Sequence, residues 1–134
     1  LVDAIGNQSD LNVSPGGQHI AFASNRTGSK EIRIAAADGS RQTEFRYFLG
    51  PAVGSPRSSP DGKSIGFDGA ASGSSDIYVV ASEGGKPVRL TSDPGNEIRP
   101  SWSHYGKWIY YGWYRAGHQR EVWKIPSSGG QAHQ

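Results

Sequence analysis

The chain has 134 residues, a net charge of +2 and no cysteine, which excludes disulfides, thiol nucleophiles and thiolate metal sites. No run approaches the roughly 20 apolar residues of a membrane helix, and the scattered cations form no basic face for nucleic acid. Nineteen glycines and eight prolines, with aliphatic and aromatic residues recurring between them, indicate short strands joined by many turns and argue against disorder.

In chain order, the first turn is Ser14-Pro15-Gly16-Gly17, followed by the apolar run Ile20-Ala21-Phe22. An acid then opens a second run, Glu31-Ile32-Arg33-Ile34, which ends at Asp38-Gly39-Ser40. The same order returns as Ser59-Pro60-Asp61-Gly62, Ile65-Gly66-Phe67, Asp76-Ile77-Tyr78-Val79 and Glu83-Gly84-Gly85, closed by Val88-Arg89-Leu90-Thr91. It returns again as Ser103-His104-Tyr105-Gly106, Ile109-Tyr110-Tyr111, Glu121-Val122-Trp123-Lys124-Ile125 and Ser128-Gly129-Gly130. β-Branched and aromatic runs between Gly/Pro/Asp/Ser clusters read as strands. In the turn, proline presets φ and glycine accepts a positive φ.

Ser59 follows Ser14 by 45 residues, and Ser103 follows Ser59 by 44. A period of this length with strand-like segments is that of propeller blades. Three repeats predict an all-β chain of three four-stranded blades, over residues 10–54, 55–98 and 99–134, the last completed by 1–9 of a second chain. Closed propellers typically hold four to eight blades. The closing run of the third repeat is cut: residues 129–134 match 84–89, and Leu1-Val2 continues that match at Leu90-Thr91. Leu1 and Val2 of one chain are therefore expected to extend the strand begun by Ala132, His133 and Gln134 of another.

The motifs Ser59-Pro60-Asp61-Gly62-Lys63, Ser24-Asn25-Arg26-Thr27-Gly28, Asp76-Ile77-Tyr78 and Leu90-Thr91 resemble the TolB-like, WD-like propeller repeat along essentially the whole chain. The resemblance implies a six-bladed ring, here reached by a head-to-tail homodimer, and a periplasmic setting. The family's tryptophan before the turn is kept as Trp102 but replaced by Ser58 and Val13, so the blades should pack unevenly. The wording around Glu121–Pro126 resembles propeller regions of CadC-like transcriptional regulators, which implies a sensory or interaction module. Similar propellers also accompany peptidases. Fold resemblance by itself says little about function.

No Gly-x-Ser-x-Gly elbow, P-loop or dinucleotide fingerprint is present. The histidines make no His-x-x-x-His pair, and the acids at 31, 76 and 121 recur once per blade, which points to structure instead of catalysis. The expectation is a non-catalytic binding module without cofactor or metal, whose partners are itself and a protein or peptide on the rim. Candidate contacts are Arg57 and Arg99 on the innermost strands (residues 55–59 and 99–103, with 10–14 in the first blade). On the rim loops (24–30, 68–75 and 113–120) they are Arg26, Trp113, Tyr114, Arg115, His118 and Arg120. Arginines there suit carboxylate or phosphate. The aromatic residues of the third repeat are expected mainly to fill the core, with Trp113 and Tyr114 best placed to touch a peptide or glycan.

Overall fold

The computed structural model describes residues 8–38, 40, 42–44, 51–71 and 73–134. Their eleven strands form three antiparallel sheets in chain order. The first holds β1 (Gln8–Val13), β2 (His19–Ser24), β3 (Glu31–Ala36) and β4 (Gln42–Glu44). The second holds β5 (Val53–Ser58), β6 (Ser64–Gly69), β7 (Asp76–Ala81) and β8 (Val88–Arg89). The third holds β9 (Asn96–Trp102), β10 (Trp108–Tyr114) and β11 (Glu121–Pro126). Each strand pairs with its sequence neighbour, the meander of a propeller blade.

The shared serine explains why the turn is repeated so closely. Ser14, Ser59 and Ser103 each accept, on Oγ, the backbone N–H of the residue five positions on, His19, Ser64 and Trp108, at 3.0 Å. Gly17, Gly62 and Gly106 follow with φ near +70°, each donating its N–H to the serine carbonyl. That is a type I turn ending in a left-handed residue, which matches strand twist. Aspartate is a supplement: Asp61 accepts from Ser59 Oγ at 2.6 Å and Lys63 N–H at 3.0 Å, and these bonds hold its carboxyl below the ordinary value. The first and third turns manage without it.

The innermost strands begin two or three residues earlier than the sequence suggests. Each carries a register shift where it pairs with its neighbour, and Asp10, Ser55 and Arg99, equivalent in the repeat, have φ between 51° and 57°. A bulge admits the extra residue and turns the strand. The left-handed backbone at a non-glycine residue costs roughly 1 kcal/mol each.

Two apolar clusters fill the seams between sheets. Ala21, Ala23, Ile32 and Ile34 of the first meet Val53, Ile65, Phe67, Tyr78 and Val80 of the second. Ile77 of the second meets Ile109, Tyr111 and Ile125 of the third, with Trp102, Trp113 and Trp123 packed around them. Trp102 is the anchor of this second seam. Its indole lies over Gly66, where an added Cβ would stand 3.4 Å from Nε1, and it donates to the Arg57 carbonyl at 2.9 Å. The large aromatic fits because the facing residue has no side chain.

The third sheet's aromatics do not all serve the core. Ile109 and Tyr111 are buried against the second sheet, whereas Tyr110 and Tyr114 on the opposite face are exposed. No described sheet follows to cover them. His133 pairs with Lys124 as an isolated antiparallel bridge, so the C-terminal segment meets β11 at that pair. Leu1 and Val2 lie outside the described residues.

Candidate functional site

The strand ends divide the candidate residues between two places. Arg57 sits near the hairpin end of β5, donates to the Pro56 carbonyl at 2.8 Å, and lines a shallow cleft with Pro15, Pro60 and His104. Arg99, on the bulge of β9, lies toward the other end, where its N–H binds Asp68 Oδ2 at 2.9 Å. Arg26 follows β2. Arg115, His118 and Arg120 lie exposed between β10 and β11. At the Arg99 end, charges of both signs meet: a Cβ added at Gly54 would stand 3.3 Å from Asp10 Oδ2, 3.8 Å from Asp68 Oδ1 and 3.9 Å from Lys30 Nζ.

The acids that open each third strand find three different partners. Glu31 binds Arg33 and accepts from Thr27 Oγ1. Asp76 Oδ2 lies 2.9 Å from Arg89 Nη2. Glu121 accepts from Trp123 Nε1 at 2.8 Å. Glu31 and Glu121 thus bond a residue two positions along their own strand, and Asp76 bonds Arg89 of β8 in the same blade.

A group that sequence reading passes over is Glu97. It is fully buried at the start of β9, accepts from Thr91 Oγ1 at 3.3 Å, and leaves Oε1 without a hydrogen-bond partner among the described residues. Thr91 Oγ1 in turn accepts the Ile77 N–H at 2.8 Å. Burial, and then the negative charge of nearby Asp76, raise the Glu97 carboxyl from 4.5 to about 7. Burial, and then the charge on Glu97, push the Tyr111 hydroxyl up to about 12. The repeat gave no signal for it: the equivalent positions hold Gln8 and Val53, so a polar residue there is not out of pattern.

Beside this group lies a cleft of about 530 Å³ between the segment Leu90–Pro94 and the third sheet. Tyr111, Trp113 and Trp123 supply aromatic walls, with Leu90, Ile125 and Ala132 completing the apolar part. Thr91, Ser92, Asp93, Arg115 and Gln131 supply the polar part. Trp113 and Trp123 are tilted at 53° with centroids 5.8 Å apart. The structure thus brings Trp113 and Arg115 of the candidate set into one concavity. Tyr114, Arg99, Arg120 and His118 do not line it.

Gly95 leaves the space that the indole of Trp113 occupies. A Cβ there would stand 2.9 Å from the Tyr114 carbonyl oxygen and 3.0 Å from Trp113 Nε1, and φ is 142°. Gly95→Ala is expected to lower stability by about 1–2 kcal/mol and to shift the tryptophan fluorescence, as read in a urea titration.

Comparison with known proteins places this architecture. A TolB from Acinetobacter baumannii is 24% identical with a TM-score of 0.77, over 96% of this chain and 31% of its own. A protein of Agrobacterium tumefaciens assigned as a TolB is 23% identical, with a TM-score of 0.79, over 90% and 46%. The β-propeller domain of the Trilobed protease from Pyrococcus furiosus is 19% identical with a TM-score of 0.74, over 96% and 41%. The chain therefore spans less than half the length of each of these structures, and the likeness is one of fold. No functionally curated protein matches it. The sequence model of the TolB beta propeller domain matches residues 10–134. With the three blades described above, that match settles the classification: the chain belongs to the TolB β-propeller domain family.

Proposed function

We propose that the chain is a non-catalytic binding and scaffold module that completes its propeller ring by pairing head to tail with a second copy. The observation that carries this reading is Val122. It occupies the repeat position of Ile32 and Ile77, which are 2% and 0% exposed, yet it is itself 68% exposed. On the opposite side of the array Leu11 is 64% exposed, where its equivalents Pro56 and Pro100 are fully buried. Bare apolar residues at positions the fold otherwise buries mark an interaction face. Farther out on the first sheet Phe22 and Arg33 are already buried, so its inner strand is the contact it offers. A head-to-tail contact of this kind closes if the rotation permits.

Light scattering at micromolar concentration is expected to give twice the chain mass of 14.4 kDa. Val122→Asp, an exposed change, should return it to the single mass with the β-sheet circular dichroism unchanged. A well-folded monomer for the unaltered chain would overturn the assembly.

A second reading is favoured by the peptidases among similar structures, including an acylaminoacyl peptidase with a TM-score of 0.71. On that reading the blades are an accessory propeller of a larger enzyme and their open faces meet further blades of that protein. A hydrolase domain encoded alongside these residues would decide for it.

A further inference from the structure

We propose that the cleft between Leu90–Pro94 and the third blade binds an organic ammonium cation, its alkyl groups against Trp113 and Trp123 and its charge facing Asp93. This rests on reading the chain as a binding module, and it names the ligand class. Three observations carry it. The volume of about 530 Å³ lies within the range of small-molecule sites, which pair apolar walls with a few placed polar groups.

The walls are three aromatic residues. Trp123 is fixed by its bond to Glu121, and Tyr111 is buried. Aromatic faces attract cations, tryptophan most strongly. The electrostatic surroundings are acidic. Asp93 lines the cleft, Glu121 holds Trp123, and Glu97 and Asp76 lie buried behind Thr91, each with an oxygen that has no hydrogen-bond partner among the described residues. Arg89 is paired with Asp76 and burial favours the neutral form of Glu97, which leaves Asp93 and Glu121 against the exposed Arg115.

The alternatives fit less well. An anion would face the Asp93 carboxylate. A small metal ion lacks ligands, because no group of three His, Cys, Asp or Glu among the described residues could hold one. An ammonium head with methyl groups needs no such ligand set. It takes its stabilisation from ring faces and from one carboxylate at contact distance.

The test is calorimetric titration with choline, beside its uncharged isostere 3,3-dimethyl-1-butanol and with acetate. Choline is expected to bind saturably and to perturb tryptophan fluorescence, with the isostere about tenfold weaker. Asp93→Asn, an exposed change, should weaken choline about threefold or more. Arg115→Ala should tighten it, because a like charge is removed. Equal binding of the isostere, tighter binding of acetate, a loosening by Arg115→Ala, or no saturable heat at about 10 mM choline would each overturn the proposal. Mass measured on the same sample reports ring closure independently, so failure of one reading leaves the other intact.

Discussion

Truncating Ile77 to alanine is expected to lower the unfolding free energy by about 3–4 kcal/mol, the largest effect foreseen for a single change. Ile77 has no exposed surface and joins the second sheet to Ile109, Tyr111 and Ile125 of the third. Its backbone is held on both sides, the N–H by Thr91 Oγ1 and the carbonyl by the Leu90 N–H, each at 2.8 Å. The strand therefore cannot relax into the space left by the lost carbons, and an unfilled cavity adds to the loss of burial. A urea titration followed by tryptophan fluorescence reads the change, since Trp102, Trp113 and Trp123 surround the same cluster. Val88→Ala on exposed β8 serves as the control and should cost less than about 0.5 kcal/mol. A similar cost at both positions would mean that the seam is not where the stability resides.

Glu97 should make the fold less stable as pH rises. Its carboxyl titrates near 4.5 when unfolded and at about 7 when folded, so the folded state holds the proton more tightly. The stabilisation from the neutral form is complete below the unfolded value and is lost progressively as pH rises through about 7. Unfolding at pH 8 is expected to need about 2–3 kcal/mol less than at pH 5 on account of this group.

Glu97→Gln should remove that slope and stabilise the protein at pH 8 by about 2 kcal/mol, with little change at pH 5. The amide oxygen can still accept from Thr91, so the hydrogen bond survives while the buried charge does not. The difference between the two proteins across pH isolates Glu97 from the histidines. Parallel pH profiles for the two would contradict its burial as a titrating acid.

Particular residues show how far the sequence reaches. The turn serines, the left-handed glycines after them and the strand runs were all legible, because each answers a local demand on backbone angles or on an N–H a few residues away. Trp113 and Arg115 could be picked as rim residues but not joined to Leu90–Pro94. The bulges at Asp10, Ser55 and Arg99 escaped notice because no glycine marks their positive φ. Tyr110 looked like core and is exposed, because alternation along a strand assigns faces without saying whether a neighbouring sheet covers them.

The amino-acid order alone determined the all-β class, the three repeats and the place of each turn, since these depend on short-range sterics and hydrogen bonds that recur at a readable period. Tertiary packing decided the rest. It set Trp102 on Gly66, sank Glu97 between two blades, gathered the Trp113 and Trp123 rings beside Asp93, and left Leu11 and Val122 bare. Burial and electrostatic environment belong to pairs of segments distant in the chain, and only their meeting assigns a side chain its dielectric surroundings and its partners.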